Sequence, residues 1–77
     1  MELEILRQII SEVLQVDPKE VFEKTTFVDD LGADSLDIMR ILIAIQEKFG
    51  VALSRNCLYT MENVSDAITA IKEAKNK

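Results

Sequence analysis

Residues 35–49 limit what this chain can become more than any other stretch. Ile38, Ile41, Leu42, Ile45 and Phe49 recur at i, i+3, i+4, i+7 and i+11, which is one face of an α-helix. Gly50 follows in the place where a helix end turns left-handed. Leu36, Met39 and Ile43 form a second apolar stripe on another face. A helix that is apolar nearly all round is either central to its domain or offers apolar surface to a partner.

The flanking segments supply what such a helix can pack on. Residues 2–15 place Leu3, Leu6, Ile10, Val13 and Leu14 at helical spacing, and Ile5 and Ile9 widen the stripe. Glu2 and Glu4 fall in the first turn, where the helix dipole favours them. Asp17-Pro18 reads as an N-cap followed by proline at the first helical position, with a single turn over Lys19 to Phe22. Thr25 to Gly32 has no sustained period and is expected to be a long loop, pinned to the core by Phe27, Val28 and Leu31. Val51-Ala52-Leu53 has no partner strand, so 51–62 reads as a loop leading into a short helix near 56–61. Asn63 caps a last helix, with Asp66 as a weaker capping box. Val64, Ala67, Ile68 and Ile71 face inward there, and Lys72, Lys75 and Lys77 suit its C-terminal end.

The expected fold is therefore all-α: a small bundle of three main helices plus one short helix, with a long first loop. Seventy-seven residues allow one domain, 1–77, with little room for a deep active site. Two glycines and one proline give too little punctuation for many short strands. The single cysteine, Cys57, excludes an internal disulfide framework and suits a reducing compartment. Met1 to Ile10 is already amphipathic and acidic, so no secretory signal is expected. No apolar run reaches the roughly 18 residues of a membrane span, and the location expected is cytoplasmic. The net charge of −5 disfavours nucleic acid and anionic membrane. That charge is concentrated early: residues 1–34 hold nine acidic and three basic groups, while 35–63 hold three of each.

Ser35 lies between Asp34 and Leu36-Asp37, just after Gly32. The chain has no histidine and no Gly-x-Ser-x-Gly, so no triad can activate that hydroxyl as a nucleophile. If Asp34 is the N-cap, its carboxylate takes the amide of Leu36 or Asp37, and Ser35 opens the helix with its hydroxyl outward. Gly32 lets the chain turn tightly into it. An anion attached there sits at the positive end of the dipole beside free amides. The residues alone leave two readings open, a plain helix cap and a serine that bears a modification. Asp29, Asp30, Asp34 and Asp37 suggest a calcium loop only faintly, because the spacing is wrong and no glutamate closes it. No metal site is assigned.

LGADSLD, Leu31 to Asp37, resembles the phosphopantetheine attachment motif of acyl carrier proteins, particularly the discrete fatty-acid type. The resemblance widens to FVDDLGADSLD, to EKFG at Glu47 to Gly50 and to NVSDAITAI at Asn63 to Ile71, nearly the whole chain without a gap. Peptide-synthetase carriers fit less well, since they usually have a second glycine where Ala33 stands and lack the aspartate before serine. The resemblance implies a carrier and not an enzyme. Ser35, flanked by Asp34 and Leu36, would accept 4′-phosphopantetheine covalently from coenzyme A through a separate phosphopantetheinyl transferase. The thiol of that arm would carry acyl groups between acyl-loading and acyl-processing enzymes, with the carrier expected as a monomer.

By position, the resemblance also places an acyl cavity bordered by Phe27, Ile45, Leu53, Leu58 and Met61, with Ala67 and Ala70. These are equally ordinary core residues. It assigns Leu36, Asp37, Met39, Arg40, Ile43 and Glu47 to the face that meets partners. In typical fatty-acid carriers the helix after the serine is acidic and is read by basic patches. Here Arg40 stands where Glu is usual, Gln46 and Lys48 replace two more acids, and Ser54-Arg55-Asn56-Cys57 replaces an acidic run. Two accounts fit: a specialised carrier with its own lipid or polyketide partners, or a divergent housekeeping carrier. A helical protein-interaction domain without the prosthetic group is the rival from another class.

Overall fold

The computed structural model describes residues 2–76. It contains α1 (Glu2–Leu14), a 3-10 turn (Pro18–Glu20), α2 (Ser35–Phe49), α3 (Cys57–Thr60) and α4 (Val64–Lys75). Helix α2 packs against α1 on one side and α3 on the other, and α4 closes against α1. Phe27, Leu6, Ile10, Ile41, Ile45 and Ile71 are fully buried between them. Lys77 lies outside the described residues. No described helix is long and apolar enough to cross a membrane.

Each helix ends where a specific residue stops it. Gln15 takes a left-handed conformation (φ 59°) after α1. Val16 N–H then donates back to Ser11 O at 3.3 Å, and Ser11 Oγ donates to Val16 O at 2.6 Å. This closes the helix with a six-to-one bond that usually uses glycine. Asp17 accepts the Lys19 amide at 2.9 Å, and Pro18 opens the turn. The turn covers Pro18–Glu20, earlier than the expected Lys19 to Phe22, because the Asp17 cap starts it directly at the proline. Val21 is then fully buried and Phe22 is exposed. Arg7 Nε holds the Val21 carbonyl at 2.8 Å. Gly50 (φ 65°) terminates α2 and donates to Gln46 O at 3.0 Å.

The long loop is tied down by the start of α4. Phe27 N–H donates to Glu62 O at 3.0 Å, Val64 N–H to Thr25 O at 3.0 Å and Ser65 N–H to Glu23 O at 2.9 Å. Among the described residues, the one β-type pairing is the isolated bridge between Thr26 and Asn63. The α4 cap is stronger than expected. Asn63 Oδ1 accepts Asp66 N–H at 2.9 Å, and Asp66 Oδ2 accepts the amides of both Asn63 and Glu62. Lys75 Nζ reaches Glu2 Oε2 at 3.2 Å and joins the end of α4 to the start of α1. A bond from its own amide, and then Lys75, hold the Glu2 carboxyl below its ordinary value. That contribution is present above the ordinary value of 4.5 and fades as pH falls through the lowered one.

Two expectations fail here. Val28 does not pin the loop; it is 58% exposed. Consecutive side chains in a tight turn point apart, and Phe27 takes the inward position. Ile5 is exposed at 40%, because α1 packs through Leu6, Ile9 and Ile10 and leaves Ile5 at the edge of the stripe. Ile68 and Leu31 are half-buried at the margin of the core.

Replacing Phe27 removes a fully buried ring from the junction of loop, α2 and α4. Phe27→Ala should cost about 3–5 kcal/mol, a large part of what a small domain has. Urea unfolding followed by far-ultraviolet circular dichroism measures it.

Candidate functional site

The approach to Ser35 is built by reciprocal bonds. Thr26 N–H donates to Asp30 Oδ2 at 2.9 Å, while Asp30 N–H donates to Thr26 Oγ1 at 3.0 Å. Gly32 adopts φ 70°, a conformation that L side chains rarely take, and donates to Val28 O at 3.0 Å. Ala33 N–H then donates to Phe27 O at 2.8 Å, and the Ala33 methyl is buried. The backbone two residues before Ser35 is thus held to the core at Phe27.

Asp34 is extended (φ −103°, ψ −177°) and caps α2. Its Oδ1 accepts Asp37 N–H at 2.9 Å, and Asp37 Oδ2 accepts Asp34 N–H at 3.3 Å. The two aspartates therefore occupy each other's amides. Ser35 is the first helical residue and is exposed, and neither of these bonds uses its hydroxyl. The first main-chain bond of α2 runs from Ile38 N–H to Asp34 O at 3.0 Å. The amides of Ser35 and Leu36 lie ahead of it, at the positive end of the helix. A phosphodiester on Ser35 Oγ fits this place: two amides and the dipole face it, and solvent leaves room for a long arm. Asp34 and Leu36 flank Ser35. Among the described residues, no group of three or more His, Cys, Asp or Glu side chains is arranged to hold a metal.

Leu36, Met39 and Ile43 form an exposed stripe beginning beside Ser35, at 55%, 44% and 48% exposure. Arg40 and Glu47 are exposed on the flank of that stripe. Arg40 Nη1 lies 4.0 Å from Asp37 Oδ1, a loose pair, since the other oxygen of Asp37 serves the cap.

Of the seven residues expected around an acyl cavity, four lie in the packed core and three at its edge. Phe27, Ile45, Met61 and Ala67 belong to the packed core. Leu58 and Met61 border a cleft of about 390 Å³ beside Ile38 and Tyr59. Leu53 and Leu58 border an adjoining groove of about 620 Å³ along α2, which shares Leu58 and Tyr59 with that cleft. Leu53 and Ala70 together border a further hollow near Cys57.

Tyr59 escaped sequence reasoning, as did the hydrogen bond made by Gln46. Tyr59 is 81% exposed on α3 and separates the two clefts. Gln46 Oε1 accepts Leu53 N–H at 2.9 Å and pulls the segment after α2 back alongside it. In the sequence, Gln46 stood out only as a neutral residue in place of an acid.

The family model for the phosphopantetheine attachment site matches residues 4–71. An acyl carrier protein of Zymomonas mobilis is 42% identical over 72 residues, which is 94% of this chain and 92% of that protein. One from Phenylobacterium zucineum is 41% identical over 71 residues, 92% of this chain and 90% of that one. One from Solidesulfovibrio magneticus is 42% identical over 74 residues, 96% and 95% of the two chains. Among solved structures, a chain described as the ishigamide ketosynthase/chain length factor superimposes with a TM-score of 0.78 at 29% identity. The match covers 99% of this chain and 96% of that one.

The cap at Asp34 holds the serine at the helix start. Asp34→Ala should lose about 1 kcal/mol of stability, and Asp34→Asn should keep most of it, because an amide oxygen also accepts the Asp37 N–H. Paired urea unfolding curves separate the two.

Proposed function

The chain belongs to the acyl carrier protein family, and we propose that Ser35 Oγ is the atom through which it bears 4′-phosphopantetheine. The observation that carries this is the exposed hydroxyl at the capped start of α2, with its neighbouring amides unused. The group supplies a terminal thiol on which acyl chains travel as thioesters. The protein's own residues anchor and present. Asp34 and Asp37 hold the first turn still, and Gly32 and Ala33 hold the loop behind it. Proteins of this family are carriers rather than catalysts, and they act with acyl-processing enzymes. The domain 1–77 works as a monomer in this proposal, loaded by a separate phosphopantetheinyl transferase that brings the base the chain lacks.

The stripe of Leu36, Met39 and Ile43 is the contact face for those enzymes, with Asp37, Arg40 and Glu47 at its rim. An exposed apolar stripe this close to the attachment atom lets an enzyme hold the carrier while it works on the cargo. The basic Arg40 sets the choice of partner. Rim charges act mainly on encounter rate and on rejection of wrong partners. A guanidinium here repels the basic surfaces that read an acidic helix, so the partners are enzymes of a specialised lipid or polyketide route. The acyl chain is housed by loosening of the core at Phe27, Ile45, Met61 and Ala67, or against Leu53, Leu58 and Ala70 at its edge.

Incubation with coenzyme A, Mg²⁺ and a broad-specificity transferase should add one phosphopantetheine, read by intact mass. Ser35→Ala should abolish the gain while its unfolding midpoint stays close to the parent. Failure across several transferases favours the helical interaction domain. Arg40→Glu should raise kcat/KM with standard fatty-acid enzymes by about threefold and lower it with the carrier's own partners by a similar factor, as rim charges do. No change in either direction removes Arg40 from partner choice.

A further inference from the structure

Ser35, Met39, Leu42 and Gln46 fall at i, i+4, i+7 and i+11, on one stripe of α2. The stripe runs from the attachment atom into the groove of about 620 Å³ between α2 and the segment that follows it. Met39, Leu42, Ile43, Leu53 and Leu58 supply its apolar wall. Its polar residues are Gln46, Ser54, Arg55 and Tyr59, and no carboxylate side chain lines it. Their hydrogen-bonding capacity is lopsided. Gln46 has committed its oxygen to the Leu53 amide, which leaves its NH2 to donate. Ser54 Oγ accepts from Asn56 N–H at 3.1 Å, which leaves its hydroxyl hydrogen. Arg55 can only donate, and it is exposed. The Gln46–Leu53 bond sets Ser54 and Arg55 beside Gln46, about 16 Å along the helix axis from Ser35.

We propose that this groove receives the distal part of the cargo, and that the cargo is an acyl chain with an anionic or strongly hydrogen-bond-accepting group at its far end, a carboxylate being the simplest. The inference rests on Ser35 bearing the arm. An apolar stem lies on Met39, Ile43 and Leu58, and the terminal group meets Arg55 and the Gln46 amide. A plain hydrocarbon tail offers these donors no acceptor, whereas a carboxylate accepts from both. In a chain of net charge −5, whose acids are concentrated before Ser35, an anion is drawn to a groove where an arginine stands without a lining acid. Continuity with the Ser35 stripe favours a tethered chain over a side chain of a partner.

The test loads Ser35 with hydrolysis-resistant amide analogues of octanoyl- and suberyl-coenzyme A, which differ only in a terminal methyl or carboxylate. Two readouts follow each loaded form: chemical shifts of the Gln46 side-chain amide and the Arg55 Nε–H, and the rate of tryptic cleavage after Arg55. The carboxylate form should shift both resonances and slow cleavage about three- to fivefold relative to the methyl form, the range expected of an exposed ion pair. Arg55→Gln, read by the Gln46 shift alone, should bring the two forms together. Equal shifts for both chains in the parent protein overturn the inference and leave the carrier assignment standing. Absence of the loading mass overturns the assignment of Ser35, and the inference with it.

Discussion

Phe27 is the residue on which the rest of the arrangement depends. Its ring is fully buried, its amide is held by the Glu62 carbonyl and its carbonyl holds the Ala33 amide. One residue therefore joins the hydrophobic core, the entrance of α4 and the backbone leading to Ser35. The long first loop has little regular structure, and burial of one aromatic ring is the strongest single force available to fix it. With the loop fixed, Gly32 turns the chain and Asp34 begins α2 in a defined place. The serine is exposed, but it is not on a loose segment. Its position is inherited from a core residue eight places earlier.

Helix α2 meets two demands that its composition reconciles. Ile38, Ile41, Leu42 and Ile45 are buried and hold the bundle together. Leu36, Met39 and Ile43 stay outside, where apolar surface has no folding value and is available for contact. A carrier needs this division. Its helix must be rigid enough to present a flexible arm and bare enough to be gripped. The capping box at its start uses the carboxylates of both Asp34 and Asp37, and neither of them takes the amides of Ser35 and Leu36.

Much of this was legible in the chain. The apolar spacing of 35–49, Gly50 as terminator, Asp34 and Asn63 as caps and the short helix within 56–61 all reappear in the structure. These are local properties, set by side-chain period and by which residues can satisfy free amides. Val28 and Ile5 were misjudged for a common reason. Hydrophobicity says that a residue can be buried, while its neighbours decide whether it is. Phe27 occupied the inward place beside Val28, and α1 turned its stripe past Ile5. The space around Leu53, Leu58 and Ala70 was illegible for another reason: its shape depends on how the segment after α2 and α3 lie against the helices, which spacing along the chain does not set.

Period and caps along the chain were enough to set the helices and to put Ser35 at a capped helix start, and the resemblance of its motif to a known family implied a carrier, because all of these are written along one dimension. Tertiary structure alone decided which apolar residues remained outside. It also brought Gln46, Ser54 and Arg55 together beside the stripe that begins at Ser35. That grouping depends on a side-chain bond from Gln46 to the Leu53 amide, seven residues on, and on the packing of α3 against α2. Contacts of this kind arise from the closing of the chain on itself, and no local pattern encodes them.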